Sequence, residues 1–293
     1  MKNKFVNILI YVSIAFLFIY LYKLDYFAFQ DVTFNLTPLL ISICLLWAGY
    51  VISSLSWWNS LKIHNVHITI KSAIISHGLA IFAKYIPGKI WVILGRASKV
   101  ADETSDSVSE LSFISLKEQL VYLLVGIIIS ILPVYLVYGL SLIFLVVLLS
   151  GIGLGLVIFN KAMHKLLLWM LNKLMKKPPE LPLITIRNGF KLSIYHVFLW
   201  ASWTLGFYFF ALSIEDSFSL NLAFVFPISV VYGVLAIFMP GGIGIREGII
   251  TAYFVMSGIE LELATTISVL SRLWFVLGEV FIFLLAFVLN VRK

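Results

Sequence analysis

The chain has 293 residues, of which 61% are hydrophobic and 12% are charged, and its mean hydropathy is +1.05. A soluble globular domain carries charge on about a quarter of its residues, so this composition excludes an ordinary soluble fold and indicates an integral membrane protein. The formal net charge is +7, but the basic residues lie in short segments between apolar runs, which favours anionic lipids over nucleic acid as their partners.

Hydropathy along the chain predicts an all-α integral membrane fold. Seven continuous apolar runs are long enough to span a bilayer, at residues 5–22, 37–59, 115–137, 140–160, 191–213, 219–239 and 263–290. Two further apolar stretches are interrupted, 72–94 by Lys84, Pro87, Gly88 and Lys89, and 243–259 by Arg246 and Glu247. Because the spans and their connections use nearly all of the chain, we predict a single polytopic membrane domain over residues 1–293, with broken elements near 72–94 and 239–259.

The distribution of basic residues predicts the orientation. With the amino terminus in the cytoplasm, eighteen lysines and arginines fall in cytoplasmic segments and only Lys23 falls outside, as the positive-inside rule requires. Two cytoplasmic termini require an even number of crossings. We therefore predict that residues 243–259 cross as a short helix and that residues 72–94 enter and return, which gives eight transmembrane helices and one re-entrant element.

The segment after residue 239 is the most informative for function. Gly241, Gly242 and Gly244 free the backbone just before a predicted helix start that carries Arg246 and Glu247. Non-helical backbone at membrane depth is tolerated only where it is buried in protein or lines a wet cavity. A helix amino terminus with an arginine suits a lipid phosphate. The alternative is a polar hinge in which Glu247 neutralises Arg246 or another base.

The sequence from Pro240 to Gly248 resembles the proline- and glycine-rich, arginine-glutamate signature of the lysylphosphatidylglycerol synthase transmembrane-region family. This family includes the flippase half of multiple peptide resistance factor. The multispan layout and an earlier proline-glycine element extend the resemblance over nearly the whole sequence, although that earlier element is less glycine-rich than in the family. The resemblance implies movement of lipids or lipid-linked intermediates across the bilayer. The 293 residues contain no aminoacyl-transfer domain, so lysyl transfer is not expected of them.

Basic residues also surround the first break, Pro87-Gly88. Lys84, Lys89 and Arg96 lie beside aromatic residues there, a combination that suits either an entrance for lipid headgroups or simple interfacial anchoring.

In the last span, Arg272 and Glu279 are seven residues apart and therefore share one helix face. We expect Arg272 to contact phosphate or Glu247. We expect Glu279 to pair with Arg246 or to serve as a proton-coupled carboxylate, and pure internal pairing remains open.

These observations predict a flippase of the cytoplasmic membrane, acting on an anionic phospholipid or a lipid-linked phosphate such as a polyprenyl phosphate. The sequence predicts no catalytic residue, metal ligand or cofactor site. Two alternatives remain open, namely an integral-membrane transferase with Glu247 or Glu279 as base, and an accessory subunit that binds proteins of envelope synthesis. The predicted lipid-phosphate site comprises Lys84, Lys89, Arg96, Gly241, Gly242, Gly244, Arg246, Glu247, Arg272 and Glu279.

Overall fold

The computed structural model describes residues 32–86, 90–163, 183–236 and 239–291, with residues 165, 166 and 169 between them. Within these ranges all regular secondary structure is helical. The α-helices are α1 (Leu36–Ile63), α2 (Ile70–Ala80), α3 (Ile90–Ala101), α4 (Val108–Tyr138), α5 (Leu142–Phe159), α6 (Ile186–Leu212), α7 (Leu220–Ala223), α8 (Val225–Leu235), α9 (Ile245–Met256) and α10 (Leu261–Val291). Two 3₁₀ helices cover Ile81–Tyr85 and Pro240–Gly242. The predicted span at 5–22 lies outside the described residues.

Five of the described helices, α1, α4, α5, α6 and α10, are long and apolar enough to cross a membrane. An all-helical membrane fold is thus confirmed. Helix α4 begins at Val108, seven residues before the apolar run that predicted it. The reason is a capping box, in which the Ser107 hydroxyl accepts from the Glu110 N–H and the Glu110 carboxylate accepts from the Ser107 N–H.

Helices α1 and α6 form an antiparallel pair. The Asn35 N–H, just before α1, donates to the Ser213 carbonyl, just after α6, at 2.8 Å. Midway along the pair, the Trp203 indole N–H of α6 donates to the Leu46 carbonyl of α1 at 3.3 Å. Gly49 allows this approach, because a Cβ atom there would lie 2.2 Å from the Trp203 ring nitrogen. A small residue thus lets the two backbones pack closely, as is usual between membrane helices.

Residues 70–86 and 90–101 form the two arms of a hairpin that enters and leaves at one end of the bundle. Helix α3 returns beside α2, and a Cβ atom on Gly95 would lie 3.2 Å from the Ala80 Cβ. At the open end, Ala73 of α2 and Val100 of α3 share a buried cluster with Leu111, near the start of α4. We call this element hairpin 1.

Helices α7, α8 and α9 form a second hairpin, hairpin 2, where the sequence predicted two crossings. The Tyr253 hydroxyl, late in α9, donates to the Pro133 carbonyl near the end of α4 at 3.3 Å. Ser219, before α7, and Ser257, after α9, line one groove beside Pro133, so the hairpin starts and ends at the same end of the bundle.

The prediction that residues 219–239 and 243–259 each cross is therefore wrong. Helices α7 and α8 together cover Leu220–Leu235, and α9 has 12 residues, which gives about 24 and 18 Å at 1.5 Å per residue. A hydrocarbon core is about 30 Å thick. Among the described residues, five helices are long and apolar enough to span a membrane, and two hairpins lie between them.

The two hairpins open at opposite ends of the bundle. Hairpin 1 follows the carboxyl end of α1, and hairpin 2 follows the carboxyl end of α6, which is antiparallel to α1. The same order of elements, a long helix, a hairpin and a long helix, therefore occurs twice, in residues 36–138 and in residues 186–291. The two copies run in opposite directions through the bundle. Such inverted repeats are typical of transporters, which bind their substrate between the two repeats.

Candidate functional site

The tips of the two hairpins touch inside the bundle. Gly241, in the tip of hairpin 2, has a φ of +58°, and a Cβ atom there would lie 2.4 Å from the Tyr85 ring in the tip of hairpin 1. Gly242, with a φ of +71°, would place a Cβ atom 2.6 Å from the Gly233 carbonyl oxygen of α8. Both positions thus require glycine, because backbone conformation and available space each exclude a side chain.

An ion pair ties hairpin 1 to α10. Lys84 Nζ lies 2.7 Å from Glu279 Oε1, and the Tyr85 hydroxyl donates to Glu279 Oε2 at 2.8 Å. The Glu279 carboxylate is fully buried. The expected partner of Glu279 was Arg246, but the structure places Lys84 there, since the tip of hairpin 1 lies directly against α10.

Arg272 of α10 holds the tip of hairpin 2. Its Nη2 donates to the Gly241 carbonyl oxygen at 2.8 Å, and its guanidinium lies 5.5 Å from the centre of the Tyr85 ring. This carbonyl is freed by the glycine-rich break, so Arg272 satisfies a backbone group that lipid could not. Glu247 was an expected partner of Arg272, but its carboxylate accepts from the Gly244 N–H at 2.6 Å and caps α9.

A second buried network centres on Glu118 of α4. Its carboxylate accepts from Arg96 Nη2 at 2.6 Å and from the Ser56 hydroxyl at 3.0 Å. His196 Nε2 lies 3.5 Å from the same carboxylate and 3.2 Å from the Ser56 hydroxyl. Arg96 also donates to the Ser115 carbonyl at 2.8 Å. The network joins α1, α3, α4 and α6.

Sequence reasoning missed Glu118 because it falls where an apolar run was taken to begin. A signal was present in the sequence. The capping pattern of Ser107 and Glu110 starts α4 early enough to carry Glu118 three turns into the helix.

A cavity of about 140 Å³ separates the two networks. A water molecule takes up about 30 Å³ in the liquid, so the cavity accommodates several waters or a compact polar group. Both hairpins and helices α1 and α4 contribute polar groups to its lining, and aromatic rings lie between them. The polar and aromatic lining residues, with Gly241, are Tyr50, Ser53, His77, Lys84, Arg96, Glu118, Gln119, Tyr122, Trp203, Gly241, Arg246 and Phe275.

Arg246 is the exceptional charge in this cavity. It is only 4% exposed, and its guanidinium lies 4.4 Å from the centre of the Phe275 ring and 5.4 Å from that of Phe226. Its Nε has no hydrogen-bond partner among the described residues. Within the described part of the chain, no carboxylate lies within ion-pair distance of Arg246. A buried charge is costly unless it is paired, so this arrangement favours an anionic ligand.

The other cations that line the cavity already have carboxylate partners. Lys84 pairs with Glu279, and Arg96 pairs with Glu118. Among the described residues that line the cavity, Arg246 thus carries the positive charge that no carboxylate neutralises.

The structure divides the predicted site residues into three groups. Lys84, Arg96, Gly241 and Arg246 line the cavity. Arg272 and Glu279 lie behind it and hold the hairpin tips, while Gly242, Gly244 and Glu247 shape the break before α9. Lys89 lies outside the described residues.

Fold and site together define a multi-pass helical membrane protein with two opposed hairpins and a basic central cavity. The sequence model of the lysylphosphatidylglycerol synthase transmembrane-region family matches residues 5–287 of the chain. The chain therefore belongs to this family, which is related to membrane lipids. No curated protein and no solved structure matches it.

Proposed function

We propose that the protein is a flippase that moves an anionic phospholipid, or a lipid-linked phosphate such as a polyprenyl phosphate, across the cytoplasmic membrane. The observation that carries this proposal is the buried guanidinium of Arg246, which faces the central cavity with no carboxylate partner among the described residues. A guanidinium binds phosphate oxygens through two parallel hydrogen bonds. A lipid headgroup at Arg246 would supply the missing negative charge.

The position of the cavity supports transport. Hairpin 1 enters from one end of the bundle and hairpin 2 from the other, and their tips meet beside the cavity. A headgroup in the cavity would be separated from one membrane surface by hairpin 1 and from the other surface by hairpin 2. Movement of either hairpin would expose the cavity to one side at a time, which is the requirement for alternating access.

Lipid movement in proteoliposomes tests the proposal. Purified protein is reconstituted with labelled phosphatidylglycerol, phosphatidylcholine or polyprenyl phosphate, and the label that becomes accessible from outside is followed over time. We expect Arg246→Ala to slow movement about 10- to 100-fold, the loss expected for a charge-assisted hydrogen bond of about 1.5–3 kcal/mol.

Arg187→Ala is the matched control, because Arg187 is an exposed arginine at the start of α6. We expect this variant to move lipid at the wild-type rate. Equal rates for wild type and Arg246→Ala, with both proteins folded and inserted, would contradict the proposed role of Arg246.

The transferase alternative required Glu247 or Glu279 as a base. Glu247 caps α9, and Glu279 accepts from both Lys84 and Tyr85. No contact of these carboxylates favours a catalytic role over a structural one. Product formation from a lipid-phosphate donor, without lipid movement, would support the transferase. Co-purification with an envelope protein, with neither activity in the isolated chain, would support the accessory subunit.

A further inference from the structure

A groove of about 800 Å³ lies on the outer surface of the α1–α6 pair, away from the central cavity. It is formed where the carboxyl end of α1 meets the amino end of α6. The lining residues are Asn59, Lys62 and Ile63 of α1 with Asn188, Lys191, Ile194, Tyr195 and Phe198 of α6. Its size falls in the range of small-molecule sites, about 300–1,000 Å³.

The lining of the groove is layered along α6. Asn188 and Lys191 lie in the first two turns, whereas Ile194 and Phe198 lie in the next two. At 1.5 Å per residue, the distance from Asn188 to Phe198 is about 15 Å. The polar end of the groove is at the helix terminus, and the apolar end reaches towards the middle of the span. A phospholipid has the same order, with a polar headgroup above a hydrocarbon chain.

The polar end of the groove is positively charged. Lys62 and Lys191 are both exposed, no acidic residue lines the groove, and neither lysine has an ion-pair partner within the described ranges. The Asn59 amide donates to the Lys191 carbonyl at 3.4 Å, which ties the two helices together beside the lysines. The amino end of α6 adds a partial positive charge.

From these observations we propose that this groove binds the headgroup of an anionic phospholipid, at a site separate from the Arg246 cavity. Basic pockets between membrane helices bind anionic headgroups in this way. The chain outside the described residues offers little complementary charge. Residues 1–31 contain three lysines and two aspartates, and residues 170–182 contain three lysines and one glutamate, so both segments carry net positive charge.

The test uses the purified full chain, stripped of lipid in a neutral detergent. Its thermal unfolding midpoint is measured against increasing phosphatidylglycerol, phosphatidylcholine with the same acyl chains, or inorganic phosphate. We expect saturable stabilisation by phosphatidylglycerol and none by the other two. In the Lys62→Ala/Lys191→Ala double variant, the apparent Kd for phosphatidylglycerol should rise about 25-fold, because one lysine near an anionic lipid surface contributes about a factor of five.

Three further variants make the result specific. Lys62→Arg/Lys191→Arg keeps the charge and should retain the wild-type Kd. Lys71→Ala/Lys161→Ala removes two lysines that do not line the groove and should also leave the Kd unchanged. The titration is also made in the Arg246→Ala background, where the central cavity lacks its unpaired guanidinium, and there the double alanine substitution in the groove should raise the Kd by the same factor.

The inference is overturned if phosphatidylcholine or inorganic phosphate stabilises as well as phosphatidylglycerol, or if the double alanine variant keeps its affinity. It is likewise overturned if Arg246→Ala alone abolishes the stabilisation, since the lipid would then bind in the central cavity. None of these results depends on lipid movement, so failure here is distinguishable from failure of the proposed function.

Discussion

At the scale of single residues, Glu279 controls the charge balance at the hairpin tips. Its buried carboxylate accepts from the Lys84 ammonium and the Tyr85 hydroxyl at once. Removing one member of a buried ion pair leaves the other charge uncompensated, which costs more than removing both members. The Lys84 side chain is 24% exposed, so water relieves part of that cost.

We therefore expect Glu279→Gln to lower the free energy of unfolding by about 2 kcal/mol. The glutamine oxygen still accepts from Tyr85, but the Lys84 charge loses its partner. The double variant Lys84→Met/Glu279→Gln removes both charges and should regain most of the loss. Unfolding in detergent micelles measures both effects.

Glu262→Gln is the control for this prediction, because Glu262 is exposed in the first turn of the same helix. Its effect should stay within about 0.5 kcal/mol, as for most surface substitutions. If the double variant were less stable than Glu279→Gln, the ion pair would not be the source of the destabilisation.

At the scale of elements, the tip of hairpin 2 depends on glycines with different requirements. Gly242 and Gly244 both have positive φ, +71° and +84°. A Cβ atom on Gly242 would lie 2.6 Å from the Gly233 carbonyl oxygen, whereas one on Gly244 would meet no atom of the described residues within 4 Å. Gly242 is thus limited by conformation and space, and Gly244 by conformation alone.

This difference predicts unequal costs of an added methyl group. Gly244→Ala should lower the free energy of unfolding by about 1–3 kcal/mol, the cost of a backbone conformation, φ +84° and ψ −42°, that residues with a Cβ atom rarely adopt. Gly242→Ala should cost about 1–3 kcal/mol more, because the tip must also move away from α8. The two alanine variants control for each other in the same unfolding assay. Equal losses would show that the contact with Gly233 contributes nothing.

The sequence predicted the long helices better than the hairpins, for a physical reason. Apolar runs report the favourable transfer of side chains into lipid, and residues 140–160 were a good prediction of α5 at Leu142–Phe159. Whether an apolar segment crosses or returns depends on distant contacts. In hairpin 2, one such contact is the hydrogen bond from the Tyr253 hydroxyl to the Pro133 carbonyl, and these residues are 120 positions apart in the sequence.

The same distinction applies to the candidate site. The glycine-rich start of α9 predicted a cavity wall at Arg246, since local backbone chemistry was sufficient for that inference. The pairing of charges was not predictable from spacing. Lys84 and Glu279 are 195 residues apart, and their contact exists only because the first hairpin tip reaches α10.

At the scale of the whole molecule, the two opposed hairpins explain how a bundle of apolar helices builds a polar centre. Each hairpin brings non-helical backbone inwards, and the long helices α1, α4, α6 and α10 enclose it. The carbonyls and amides at the tips are satisfied by side chains such as Arg272 and Glu247. This arrangement meets the requirement that irregular backbone in a membrane be buried in protein or face a wet cavity.

The distribution of basic residues predicts the orientation of the molecule, and this prediction is open to a direct test. The connection between α3 and α4 lies at the end of the bundle where α1 ends, and the connection after α6 lies at the opposite end. The basic residues predict the first end to be cytoplasmic. In a Cys44→Ser background, Ser105→Cys and Asp216→Cys place one exposed thiol in each connection.

A membrane-impermeant maleimide should label Asp216→Cys in intact cells and Ser105→Cys only after the membrane is permeabilised. Glu260→Cys, in the connection after hairpin 2, should behave as Asp216→Cys does, because that hairpin returns to the side from which it entered. Labelling of Ser105→Cys in intact cells would reverse the orientation. Different sidedness of Glu260→Cys and Asp216→Cys would mean that residues 220–256 cross the membrane after all.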